Sequence, residues 1–317
     1  MKQQGEQASM ETTSTGQPDL SVVVVTLVDT DHLQHCLEAL AGQNARANFE
    51  TIVPCDETLG DTASLKTAFP GVIFIDLAGR HTYAQLRAIG AHRAKGRLLA
   101  VTEDHCLPDP DWVQSIVAAH NGPAVAIGGV VKKQGPDRSL NWAVYFLDYL
   151  RYMPPVEEHE THELTDLNVS YKMSALREIA EVWEREFHEP EVHAALERNG
   201  GRLLLSPSIG VHQRRQLRIG HALWDRYAFG RLFGSTRAAS LSGAKRLVYA
   251  VLAPVLPVLL VVRLVRHILN KKRHRQEFFL ALPYIILLAS AWAWGECIGY
   301  ATGRSAASLA PQSDAGA

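Results

Sequence analysis

Residues 20–26, LSVVVVT, put four valines in a row. β-branched side chains suit a pleated strand, and a run apolar on both faces belongs inside a parallel sheet, not at its edge. The next segment, DHLQHCLEALAGQ (31–43), sets Leu33, Cys36, Leu37 and Leu40 on one face of a helix. FETIVPCD (49–56), GVIFIDL (71–77) and RLLAVTED (97–104) read as three further strands, with helical segments between them, notably YAQLRAIGAHRA (83–94). This alternation predicts a parallel sheet with helices on both faces. Ligands in such sheets gather at the carboxyl ends of the strands. Thr26, Asp56 and the cluster Glu103–Asp104–His105 are therefore expected on one rim.

The remainder of the chain adds a second half to this layout. LNWAVYFLDYLRYM (140–153) is an aromatic amphipathic helix and VEEHETHE (156–163) a polar loop. LTDLNVSYKMSALREIAEVW (164–183) reads as a short strand running into a helix. Within 188–215 a helix spans about 190–198, stops at Gly200–Gly201, and is followed by a strand and a second turn carrying His212. Charge excludes little beyond nucleic acid as a partner: 32 Lys and Arg stand against 33 Asp and Glu in 317 residues. Four scattered cysteines without a CxxC pair exclude a zinc ribbon and a disulfide framework. Residues 1–18 are polar and lack a basic stretch followed by an apolar core, so a disordered leader is expected in place of a signal peptide.

In their order these segments resemble the family 2 glycosyltransferases, over roughly residues 20–235. The resemblance implies an α/β, GT-A nucleotide-sugar-binding (Rossmann-like) domain with a mixed sheet. VVVVTLVDTDHLQHCLEALAGQ is similar to the family's first strand and helix, with Leu27–Val28 in place of an aromatic–Asn pair. TIVPCDE puts Asp56 where the family reads the nucleotide base, and Arg87 and Gly90 match its Arg–x–x–Gly helix. TEDHC falls at the family's DxD motif. Counted back from Pro108, Thr102 takes the first Asp position and Asp104 the second. A nucleotide-diphosphate leaving group needs its charge offset by a hard cation on carboxylate oxygens. The resemblance thus implies Mg²⁺ or Mn²⁺ held by Asp104, with His105 and His212 in support, and a nucleotide positioned by Thr26, Asp56, Arg87 and Glu103. A plainer reading has these acids capping the next helix or facing solvent.

TDLNVSYKMSAL resembles the family's acceptor-side segment through Asn168 and Lys172, with Asp166 where Gly is usual. Asn168 equally suits an ordinary turn. HEPEVHAALERNG, aligned on Gly200, puts His188 and Glu189 at the family's Glu–Asp, which implies Glu189 as general base, or Glu191 one register on. Both acids also suit a helix N-terminus. In SIGVHQRR, Arg214 and Arg215 are expected on diphosphate oxygens. The Gln–x–x–Arg–Trp signature of processive synthases is absent, so one sugar per encounter is expected.

FFLALPYIILLASAWAWG (278–295) is uncharged and long enough for a bilayer about 30 Å thick. LVYAVLAPVLPVLLVV (247–262) is shorter and broken by Pro254 and Pro257, and a basic stretch separates the two. The positive-inside rule keeps that stretch on the catalytic side. The expected layout is a leader (1–18), a catalytic domain (19–235), a membrane-associated region (236–303) and a disordered tail (304–317). Within the third part, 247–269 is re-entrant or interfacial and 278–296 crosses; two crossings are the alternative. The whole reads as an inverting transferase at the inner (cytoplasmic) membrane, its catalytic domain cytoplasmic, moving one sugar from a nucleotide-diphosphate sugar to a lipid or lipid-phosphate acceptor. Two rivals stand beside it. A non-catalytic membrane-anchored scaffold would explain the missing first Asp, while a nucleotidyltransferase would want a Gly-rich phosphate loop that TLVDTDHL does not offer.

Overall fold

A computed structural model describes residues 16–135, 137–238 and 241–304. The expected leader and tail lie almost wholly outside these residues. Nine strands form one sheet: β1 (Leu20–Val25), β2 (Phe49–Cys55), β3 (Ile73–Asp76), β4 (Leu98–Glu103), β5 (Cys106–Pro108), β6 (Ala126–Gln134), β7 (His159–Glu160), β8 (Val169–Lys172) and β9 (Leu203–Arg214). The order is β3-β2-β1-β4-β8-β6-β9-β5, with β7 beside β9. The first four strands are mutually parallel, as their hydrophobic runs predict. From β8 onward the sheet is mixed: β8 is antiparallel to both β4 and β6, and β6 runs parallel to β9.

Helices cover the sheet: α1 (Thr30–Ala41), α2 (Ala63–Ala68), α3 (Tyr83–Arg93), α4 (Trp112–Ala119), α5 (Ser139–Tyr149), α6 (Met173–Arg177), α7 (Ala180–Trp183) and α8 (Glu189–Arg198). Asp29 caps α1 by accepting from the His32 backbone N–H, and α1 buries Leu33, Cys36, Leu37 and Leu40, each such burial worth about 1.5–3 kcal/mol against exposure. A capping box of Thr82 and Gln85 starts α3. In the middle of that helix Gly90 lets the backbone lie on β1 and β2. A Cβ there would meet a Val23 methyl at 2.4 Å. That contact sets how closely Arg87, one turn earlier, approaches the rim of the sheet.

Two departures from the sequence reading concern β6 and β9. The strand over 126–134 is not singled out in the sequence, where Gly128–Gly129 interrupt its pattern. The glycines are there for space: a Cβ on Gly129 would lie 2.0 Å from the Ile209 carbonyl oxygen and 2.3 Å from the Asn168 amide nitrogen. Residues 203–214, expected as a strand and a turn, form one twelve-residue strand that absorbs an irregularity opposite Gly129/Val130. His212 thus sits within the strand, opposite Leu107 and Lys132.

The chain then leaves the sheet through α9 (Ile219–Ala238), returns along α10 (Gly243–Leu252) and α11 (Leu256–Lys271), and leaves again through α12 (Arg275–Thr302). Pro254 and Pro257 do not break the return leg. A short 3₁₀ turn, Ala253–Val255, takes the first and the start of α11 the second, a helix position where the missing N–H costs nothing. Gly243–Lys271 and Arg275–Thr302 are each long and apolar enough, by length and composition, to cross a membrane. Along α9 and α12, Gly230, Gly234, Gly295 and Gly299 pack backbone on backbone. A Cβ on Gly230 would sit 2.2 Å from the Trp292 carbonyl oxygen, and one on Gly295 2.0 Å from that of Tyr227. Phe278 of α12 meets Phe146 of α5 with ring centroids 5.3 Å apart. The basic turn after α11 rests on the sheet domain: Lys271 Nζ donates to the Pro155 carbonyl at 2.9 Å, and His274 packs on Trp142.

Candidate active site

Four chain segments deliver charge to one buried point. Arg87, on the face of α3 turned to the sheet, donates from Nη2 to Glu103 Oε1 at the end of β4 and to Asp166 Oδ2 before β8, both at 3.0 Å. Its Nη1 donates to Glu189 Oε2, at the start of α8, at 3.1 Å. Nε lies 2.8 Å from Glu189 Oε1, a charge contact too poorly angled for a hydrogen bond. One guanidinium cannot balance three carboxylates, two of which, Glu103 and Glu189, water barely reaches. Burial first, and then the negative charge of Asp166, push the Glu103 carboxyl well above the usual carboxylate range. Burial pushes Glu189 up to about 7, against the pull of Arg87.

Glu189 also lines a cavity of about 670 Å³. Asp166, Glu189 and Arg215 line it together with further acids and arginines, and so do Phe229 of α9, Leu260 of α11 and Leu288 and Trp292 of α12. The cavity therefore joins the charged cluster to the apolar helices. Glu191 is exposed and outside the lining, so the first register of the helix, and not the second, turns an acid inward.

Asp104 points elsewhere. Its Oδ2 accepts from the backbone N–H groups of Leu27 and Val28, each at 2.7 Å, and so ties the end of β4 to the loop after β1. Its Oδ1 is buried with no hydrogen-bond partner, as are both ring nitrogens of His105. Burial lowers the pKa of His105, which favours the neutral imidazole. The two residues line a second cavity of about 160 Å³ together with Asp29, Asp31, His32 and Arg214. An unsatisfied carboxylate oxygen beside a neutral imidazole fits a divalent cation, so Asp104 and His105 suit that role. His212 does not join them: its Nε2 lies 3.0 Å from Asp109 Oδ1, and hydrogen bonds from His212 and then Lys132 hold the Asp109 carboxyl below its usual range. Among the described residues no three His, Cys, Asp or Glu side chains form a metal cage.

The remaining expected residues divide as follows. Arg214 and Arg215, adjacent at the end of β9, face different cavities, as neighbours on an extended chain must. Asp56 is buried and accepts from Thr58 N at 2.9 Å, from the Thr58 hydroxyl, and from His81 N at 2.7 Å, which closes the loops beside the rim. Thr26 donates to the Pro54 carbonyl at 3.2 Å. Asn168 is fully buried. It accepts from Trp112 Nε1 and donates to the Val130 and Ile209 carbonyls, so it braces β8 between its neighbours and does not reach a cavity. Asp166, which sequence reasoning passed over, belongs to the cluster. Its only signal was an acid at a position where the resembled family has glycine.

A solved structure of GalNAc-T7 with UDP, GalNAc and Mn²⁺ superposes with a TM-score of 0.50 over 64% of this chain and 45% of that one, at 15% identity, a likeness of fold. Validoxylamine A glucosyltransferase of Streptomyces hygroscopicus subsp. jinggangensis (strain 5008) is 35% identical over 116 residues. That match spans 34% of this chain and 27% of the relative. The family model described as Glycosyl transferase family 2 matches residues 21–180, about half of the chain, and the chain belongs to that family.

Proposed function

We propose that the protein is a membrane-associated, inverting glycosyltransferase that moves one sugar from a nucleotide-diphosphate sugar to a lipid acceptor. The observation that carries this reading is the cavity in which Glu189 meets the apolar helices α9, α11 and α12. A sugar donor is soluble and a lipid is not, so a site that opens between apolar helices meets the second substrate at high effective concentration. Family membership and the GT-A-like fold support the transfer chemistry.

In this reading the acceptor oxygen attacks the anomeric carbon from the side opposite the diphosphate. The bond from that carbon to the diphosphate oxygen breaks, its electron pair leaves with the nucleotide, and the acceptor proton passes to a Glu189 oxygen. Glu189 suits the task because its carboxyl titrates near neutrality, where a base both exists ionised and holds a proton well. Arg87 holds Glu189 in place through two nitrogens. Asp104 and His105 would hold a divalent cation, Mg²⁺ or Mn²⁺, which neutralises charge on the departing diphosphate. Arg214, on the same cavity, adds a fixed positive charge. Thr26, Asp56 and Glu103 shape the rim where the nucleoside lies. The helices dock the enzyme on the cytoplasmic membrane face, with the basic turn after α11 on the catalytic side.

The test uses the full chain in lipid nanodiscs with bacterial lipid extract, UDP- and GDP-sugars and Mn²⁺, followed by mass spectrometry of the lipids. A lipid heavier by one sugar is expected, and Glu189→Gln should lose it while still binding nucleotide. Calorimetry that finds no metal-dependent binding of UDP or GDP would instead favour a scaffold.

A further inference from the structure

The charges around the large cavity decide more about the acceptor than its apolar walls do. Among the described residues, five carboxylates line it against three guanidiniums, and no lysine or histidine. The arginines are already engaged. Arg226 Nη2 pairs with Asp148 Oδ2 at 2.6 Å, and Arg151 pairs with Glu163. Arg215 is partnered as well, though its Nε is buried without a hydrogen bond, and its charge also acts on the buried Glu103. Behind the wall, Arg87 is shared among Glu103, Asp166 and Glu189. The lining thus carries a surplus of acids, and at buried Glu189 they meet a low-dielectric setting, where unlike charges attract and like charges repel far more strongly than in water.

We infer that the acceptor is an uncharged lipid carrying a free hydroxyl, and not a lipid phosphate. This rests on the reading of the cavity as a lipid acceptor site and narrows it. A phosphate head would add one or two negative charges beside Asp166 and Glu189, and to offset them the lining offers, among the described residues, the Arg215 Nε–H as its one buried guanidinium donor without a hydrogen-bond partner. A hydroxyl donates its hydrogen to a carboxylate and adds no charge. The proton balance agrees. An ionised phosphate oxygen attacks without losing a proton and has no use for a base, whereas a hydroxyl must give its proton up as the new C–O bond forms, and Glu189 stands ready to accept it.

The test is a competition for binding, which needs neither the sugar nor the nucleotide to be known. The full chain in an uncharged detergent is loaded with a fluorescent diacylglycerol, which is then displaced with dioleoylglycerol or with dioleoyl phosphatidic acid, lipids of identical tails. Dioleoylglycerol is expected to displace at a concentration at least tenfold lower. Glu189→Gln, which removes one negative charge from the wall, should narrow that gap several-fold; Glu163→Gln, at the exposed rim and remote from the buried cluster, should narrow it about twofold. Phosphatidic acid binding as tightly as dioleoylglycerol, or a gap unchanged in both variants, overturns the inference. Retention of neither lipid overturns instead the reading of the cavity as a lipid site.

Discussion

Arg87 and Glu189 meet side by side, Nη1 to Oε2 at 3.1 Å and Nε to Oε1 at 2.8 Å, across 102 positions of sequence. The pair links the rim of the sheet, through Glu103, to the large cavity that Glu189 lines. Because Arg87 is shared with Glu103 and Asp166, it restrains Glu189 without fully stabilising its negative charge.

That partial restraint predicts a pH profile. With its carboxyl near 7, Glu189 works as a base only when ionised, so sugar transfer to a hydroxyl should rise about tenfold per pH unit below 7 and level off above it. Stability should run the other way. A carboxyl whose folded pKa exceeds its unfolded value of about 4.5 stabilises the fold fully below 4.5, and the contribution fades as pH rises through about 7. Glu103 is raised as well and acts in the same direction. The midpoint of thermal unfolding should therefore be a few degrees higher at pH 5.5 than at pH 8, and Glu189→Gln should shrink the difference.

Removing the shared cation should do more damage than removing an acid. Arg87→Met leaves Glu103 and Glu189 buried without their partner, and breaking a buried pair costs about 3–5 kcal/mol. Asp166→Asn removes the most exposed of the three acids and should cost less than about 1 kcal/mol, while lowering the pH at which Glu189 ionises. Urea unfolding of both variants, set beside their pH–rate profiles, checks the contrast.

Asp104 calls for two substitutions, because its two oxygens have separate duties. Asp104→Ala deprives the Leu27 and Val28 N–H groups of their acceptor, at about 1–3 kcal/mol for the buried Val28 N–H and less for the half-buried Leu27. Asp104→Asn keeps a carbonyl oxygen for that loop and discards the charge facing His105. Asp104→Asn is expected to melt within a few degrees of the parent and to lose metal-dependent nucleotide binding in calorimetry. Retained binding would sink the cation assignment.

The helix layer should depend on its glycines. Gly230→Leu or Gly295→Leu forces a side chain into backbone of the facing helix, and overpacking of this kind costs about 1–3 kcal/mol or more. Gly220→Ala, where nothing lies within 4 Å, should be neutral or slightly stabilising. Thermal unfolding in micelles and retention of bound lipid report both.

The parallel half of the sheet was legible in the chain. Strands β1, β2 and β4 and helices α1 and α3 announce themselves because the signal is local: a valine run, or four apolar side chains at helical spacing, states which face is buried whatever packs against it. Glu103 and Asp104 were singled out by their place at a strand end, and Arg87 and Glu189 by the resemblance to the family. Their partnerships were not legible. Asp104 and Glu103 are adjacent, yet one faces a backbone loop and the other a guanidinium, because consecutive side chains leave an extended chain on opposite sides and only the packed neighbours say what lies there. Likewise β6 hid behind two glycines whose purpose is visible only once Ile209 and Asn168 are brought against them. The basic turn was expected on the side of the catalytic domain, and it does pack against the sheet domain, Lys271 donating to the Pro155 carbonyl. Local patterning is decided by what each residue prefers to bury. Shared charges and close backbone contacts are decided by segments that sequence keeps far apart and only folding brings together.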